Sequence, residues 1–115
     1  MKGNVVQEKS FQFALEVINL YIKLKNDQEY VLSKQLLRSG TSIGANVEEA
    51  IAGQSRNDFV SKMSIARKEA RETRYWLRLL QASKLTTVNC SHELEHADEL
   101  LRLLTAIIKS AKEAP

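Results

Sequence analysis

Proline occurs once, as residue 115, and glycine four times, at 3, 40, 44 and 53, so the chain lacks the turn punctuation that a fold of many short strands requires. The single cysteine, Cys90, has no partner for an internal disulfide. No apolar run approaches the roughly 20 residues needed to cross a bilayer, and the segment Met1–Lys9 has no apolar signal core. These absences point to a soluble, intracellular, cytoplasmic protein without a membrane partner. An excess of one charge is missing too: 17 Lys and Arg stand against 14 Asp and Glu, a net +3, so bulk charge argues for no particular partner and only its distribution can. What remains is Leu, Ala, Glu, Lys and Arg, the vocabulary of helices. A length of 115 residues suits one domain, 1–115, that buries about two-thirds of its unfolded surface.

Apolar spacing divides the chain into four helices, expected at about 6–25, 28–53, 56–83 and 90–113. The first carries Val6, Phe13, Val17, Leu20 and Leu24 on one stripe and Phe11, Ala14, Ile18 and Tyr21 beside it, which reads as contact with two neighbours. Asn26-Asp27 offers a cap for the second, in which Leu32, Leu36, Ile43, Val47 and Ala50 stay in phase. Ser55-Arg56-Asn57-Asp58 has the form of a capping box and opens the third, where Phe59, Met63, Ala66, Ala70, Thr73, Leu77 and Leu80 alternate steps of four and three. The fourth starts near Asn89 or Ser91 and places Leu94, Ala97, Leu101, Leu104, Ile108 and Ala111 on one face, widened by Leu100, Leu103 and Ile107. Short connections favour antiparallel neighbours, hence an all-α, up-down-up-down four-helix bundle.

The second helix contains a stretch that propensity opposes. Gly costs about 1 kcal/mol relative to Ala in a helix interior, and Ser, Thr and Asn compete for local backbone, so Ser39–Gly44 has the composition of a loop. The apolar phase nevertheless continues through it, and a loop has no reason to keep Leu36, Ile43, Val47 and Ala50 in register. A continuous helix places Gly40 and Gly44 one turn apart for close approach of another helix. It also aligns Ser39, Ser42, Asn46 and Glu49 in a polar seam that fixes helix register or a subunit contact, with Arg38, Glu72 and Tyr75 as candidate partners.

The run Leu37-Arg38-Ser39-Gly40-Thr41-Ser42-Ile43-Gly44-Ala45-Asn46-Val47-Glu48-Glu49, followed by Phe59 and the Ala66–Leu80 helix, resembles the hallmark of the bacterial four-helix-bundle family also called 23S rRNA-intervening-sequence proteins. The chain departs from that pattern in having one Arg before the Ser and Ala50 where Gly is common. The resemblance implies an up-and-down bundle with a continuous second helix and a homo-oligomer, a pentamer in several members. Some relatives are read from inserts in ribosomal RNA genes. Others resemble the accessory protein of diversity-generating retroelements, which implies RNA or DNA and a reverse transcriptase as partners.

Independently of the family, Arg67, Arg71, Arg74 and Arg78 share a stripe of the third helix beside its apolar seam. Between Arg56 and Lys84, eight basic residues meet only three acidic ones. Arginine suits bidentate phosphate contact, so these four, with Lys68 and Arg38, are candidate nucleic-acid contacts. The competing expectation is salt bridges to Glu93, Glu95, Asp98 and Glu99, which an antiparallel fourth helix brings beside Arg74 and Arg78. Tyr75 and Trp76 flank the stripe at a spacing typical of packing residues.

His92-Glu93-Leu94-Glu95-His96 satisfies H-E-x-x-H, the pattern of two zinc-binding imidazoles one turn apart. A catalytic zinc normally takes three protein ligands, and the sequence offers no convincing third, Glu113 being the one distant acid considered. Glu93-x-x-His96 is half of a di-iron motif whose other half is absent, because Glu69-Ala70-Arg71-Glu72 lacks a His. Cys90 and His92 point to different helix faces, and Ser42 has no His nearby. No catalytic residue, catalytic metal or cofactor is therefore expected, and the segment reads as an exposed, acid-rich first turn that favours the helix dipole and can pick up stray zinc or nickel. The chain reads as a non-enzymatic, self-associating bundle that binds nucleic acid or a nucleic-acid-handling partner, with a protein-interaction module as the alternative.

Overall fold

The computed structural model describes residues 2–115, with side chains described from Val5 onward. Four helices follow one another: α1 Lys2–Asn26, α2 Leu32–Ile51, α3 Arg56–Ala82 and α4 Ser91–Glu113. Each packs antiparallel to the next, and α4 returns beside α1, closing a square bundle 50 Å long and 20 Å across. The seam between α2 and α3 is the most extensive and that between α1 and α4 the thinnest.

The core is built from the stripes that the spacing marks. Val6, Phe13, Val17, Leu20 and Leu24 of α1 meet Leu36, Ile43, Val47 and Ala50 of α2, Met63, Ala66, Ala70, Leu77 and Leu80 of α3, and Ala97, Leu100, Leu104, Ile107 and Ile108 of α4. Each large aliphatic side chain buried in this way contributes about 2 kcal/mol. On α4 the widening residues Leu100 and Ile107 are fully part of the core, whereas Leu94, Leu101 and Ala111 are half-buried. The two stripes expected on α1 also part company. Ala14 and Tyr21 are half-buried, but Phe11 and Ile18 face outward and join Leu15 and Ile22 in an exposed apolar row, because one narrow stripe satisfies both neighbouring helices.

α2 is continuous through Ser39–Gly44. Its hydroxyls fold back on their own helix: Thr41 Oγ1 donates to the Leu37 carbonyl at 2.7 Å and Ser42 Oγ to that of Arg38 at 2.7 Å. The composition that reads as a loop is thus satisfied without breaking a turn. Gly40 lies under Val17, whose γ carbons would stand 2.7 and 2.8 Å from an added Cβ. Gly44 sits over the backbone of Ser10 with more room, 3.4 Å from an added Cβ to the Ser10 carbonyl oxygen.

The start of α2 differs from expectation. Gln28 adopts φ 66°, the left-handed region, and closes α1: its N–H donates to Lys25 and that of Glu29 to Leu24. This pair of bonds is a Schellman ending. Glu29 then caps α2, its carboxylate accepting from the N–H groups of Val31, Leu32 and Ser33 at 2.8, 2.5 and 3.2 Å. The helix therefore begins at Leu32 rather than near Gln28, and Asn26-Asp27 is not its cap. Asp27 instead ties the α1–α2 turn to the α3–α4 connection, accepting from the Thr86 hydroxyl at 2.5 Å and the Thr87 N–H at 3.1 Å. Those two bonds hold its carboxyl below the ordinary value of 3.8, with Thr86 the larger cause. At the start of α3, Ser55 accepts from the Asp58 N–H, the N-cap bond expected of Ser55.

Candidate nucleic-acid interface

Arg71 and Arg74 of α3 lie at its boundary with α4, and the structure separates the basic residues of the candidate face into paired and unpaired groups. Arg74 Nε donates to Asp98 of α4 at 2.6 Å, the inter-helix salt bridge that competes with phosphate binding. Arg38 on α2 reaches across to α3, bonding Glu69 at 3.1 Å and also Glu72. Glu72 in turn accepts from the Trp76 indole at 3.1 Å, and Tyr75 packs edge-on to Trp76 while remaining half-exposed. Arg67, Lys68, Arg71 and Arg78 have no carboxylate within 4.0 Å among the described residues. Arg67 Nε is buried and has no hydrogen-bond partner among them, an orphaned donor on the α3–α4 side.

Two cations that the sequence reading does not single out complete this face. Arg102 and Lys109 stand two turns apart on α4, and with Arg71 they rim a shallow groove of about 410 Å³ floored by Leu101, Thr105 and Ala106. No carboxylate lines it. The signal was present as seven-residue spacing on α4, but only the pairing of α3 with α4 brings those residues beside Arg71.

The polar seam of α2 is divided rather than continuous. Ser39 is buried, and its hydroxyl lies 2.9 Å from that of Thr73 on α3, which also reaches the Glu69 carbonyl at 2.8 Å. Its partner is thus Thr73, not Glu72 or Tyr75. Ser42 bonds its own helix, and Asn46 Nδ2 donates to the Ser42 carbonyl at 2.9 Å. Glu49 is exposed, with no hydrogen bond among the described residues, so it does not belong to a buried seam within the chain.

The H-E-x-x-H segment acquires what the sequence reading could not find. Glu16 of α1 presents both carboxylate oxygens to His96 Nδ1 at 2.7 Å. Donor atoms of Glu16, His92 and His96 all lie within 4.8 Å of one another. Glu93, in contrast, turns inward, with one carboxylate oxygen buried and unpartnered among the described residues. Burial first, and the Glu93 charge second, push the Cys90 thiol up to about 11, so it stays protonated near neutrality.

The fold and this face define an antiparallel four-helix bundle carrying a cationic groove between its third and fourth helices. The chain belongs to the 23S rRNA-intervening sequence protein family, whose family model matches residues 2–106. It is similar to a crystal structure from Bacteroides thetaiotaomicron VPI-5482, described as a protein with unknown function from the S23 ribosomal protein family. The two share 50% identity and a TM-score of 0.86, over 95% of this chain and 99% of that one. No curated protein matches the chain. Neither description names an enzymatic activity, and no helix among the described residues is long and apolar enough to cross a membrane.

Proposed function

We propose that this protein is a non-enzymatic, self-associating bundle that binds the phosphate backbone of structured RNA or DNA through the α3–α4 groove. A nucleic-acid-handling protein such as a reverse transcriptase is a partner of the same face. The observation that carries the reading is the convergence of Arg71, Arg102 and Lys109 on one groove without a lining carboxylate. Arg71 is exposed and free of any carboxylate partner among the described residues, which leaves its guanidinium available to a phosphate. Arg78 and Lys68 extend the contact, whereas Arg38 and Arg74 are occupied by carboxylates and contribute less.

Replacing Arg71, Arg102 and Lys109 together by Gln tests the groove. Binding to labelled structured RNA should weaken, and the slope of log affinity against log salt should flatten by about 0.9 for each phosphate that is no longer neutralised. The Arg38→Gln variant should change neither by much. Unchanged affinity in the triple variant would show that the groove does not hold the phosphates.

A second reading rests on α1. Phe11, Leu15, Ile18 and Ile22 are 58, 42, 38 and 49% exposed along its outer face, a row suited to a second copy of the chain. It supports homo-oligomerisation, with the pentamer implied by the family resemblance as the assembly. Oligomerisation without nucleic-acid affinity would leave a structural interaction module.

A further inference from the structure

We infer that Glu16, His92 and His96 form a binding site for a divalent transition-metal ion, with zinc as the ion, which staples α1 to α4. The inference is independent of nucleic-acid binding, since none of Glu16, His92 and His96 lines the groove of Arg71, Arg102 and Lys109.

His92 and His96 are one turn apart on α4, the separation at which two imidazoles reach a common ion. Their ring centres lie 4.4 Å apart. The third donor comes from another helix: Glu16 holds His96 Nδ1 at 2.7 Å from each carboxylate oxygen, a direct contact that an ion entering between them would replace. The donor atoms span at most 4.8 Å. A tetrahedral zinc with bonds near 2.0–2.1 Å separates its donors by about 3.3 Å, so the widest pair must close by up to about 1.5 Å while the Glu16–His96 contact opens by about 0.6 Å. His92 is exposed and free to supply most of the first movement by side-chain rotation, and Glu16 and His96 are half-buried side chains that need only a small one. Two imidazoles and one carboxylate suit zinc, nickel or copper, whereas magnesium and calcium favour all-oxygen sites.

The surroundings agree with a cation. Glu16 and His96 line the mouth of a groove of about 360 Å³ between α1 and α4, together with Glu8, Lys9 and Glu99. Lys9 is already paired with Glu99 at 3.0 Å, so it does not compete for Glu16. The location matters because α1 and α4 share the thinnest seam of the bundle, where a bond between helices adds most. The role is structural rather than hydrolytic. Glu93, which the H-E-x-x-H pattern would make the general base, has a buried carboxylate oxygen and is not part of the cluster of Glu16, His92 and His96.

Titration of the full chain with Zn2+ by calorimetry, paired with thermal unfolding, tests the site. The wild type should bind one ion per chain. At a free concentration a hundredfold above Kd its Tm should rise by on the order of 10 °C. His92→Ala and His96→Ala should each abolish the Tm rise, and Glu16→Gln should weaken binding about tenfold or more and remove about half of it or more. Mg2+ should produce no shift. Co2+ substituted into the wild type gives a reading that needs no variant: an intense visible spectrum supports a closed tetrahedral set, and the weak spectrum of a six-coordinate ion overturns it. Zinc binding that survives Glu16→Gln with undiminished affinity would reduce the site to a histidine pair on α4 and overturn the staple.

Discussion

Gly40 and Gly44 look equivalent in the sequence, four residues apart on one face of α2, yet the structure gives them different burdens. An added Cβ at Gly40 meets the branched γ carbons of Val17, a side chain stiff about χ1 and itself fully buried. Gly40→Ala should therefore lower stability by about 1–3 kcal/mol. Gly44→Ala places its Cβ at ordinary contact distance and gains helix propensity, so it should be neutral or stabilising by up to about 1 kcal/mol. Denaturant midpoints at matched protein concentration check both. The close approach itself was legible, because glycine inside an otherwise helical phase costs stability that a tightly packed neighbour must offset. The unequal tightness was not, since it depends on which α1 residue lies opposite. Glu16 illustrates the same limit at the candidate metal site: eighty positions separate it from His96, and only the antiparallel return of α4 joins them. The inward turn of Glu93 follows from its position on the core side of α4, which the motif alone conceals.

Among the elements, the helices were legible and their boundaries less so. The apolar phase carried α3 and α4 almost to their ends, and the persistence of that phase identified α2 as continuous despite its glycines. The α1–α2 turn escaped because Gln occupies the left-handed position that Gly usually marks, so no sequence signal announced the end of α1. Gln28→Gly should relieve that backbone penalty and raise stability by about 1 kcal/mol, measured as a shift in denaturant midpoint. The same turn is pinned to the α3–α4 connection by Asp27. Its folded carboxyl titrates below the unfolded one, so its contribution is fully present above the ordinary value of 3.8 and disappears as the pH falls through the lower folded value. The stability difference between wild type and Asp27→Asn should accordingly be constant near neutrality and shrink below pH 3.8. A difference that stays constant through that acid range would separate Asp27 from the pH dependence.

At the scale of the whole molecule, two faces remain after the core is closed: the apolar row on the outside of α1 and the basic groove between α3 and α4. Replacing Leu15 and Ile18 by Lys should abolish the self-association proposed for the α1 face, read as monomers on light scattering, while leaving helicity intact, because both side chains lie outside the buried core. The concentration of arginine on α3 was plain from the sequence. Its division into the neutralised Arg74 and the available Arg71, and the contribution of Arg102 and Lys109, emerged only from the pairing of α3 with α4. The most direct test of the nucleic-acid reading is the anisotropy of a labelled structured RNA titrated with the wild-type chain over a series of salt concentrations. Log affinity should fall linearly with log salt, with a slope of about −3 or steeper for the three groove cations and their neighbours. Affinity at background level, or a slope near zero, would contradict the phosphate-binding face.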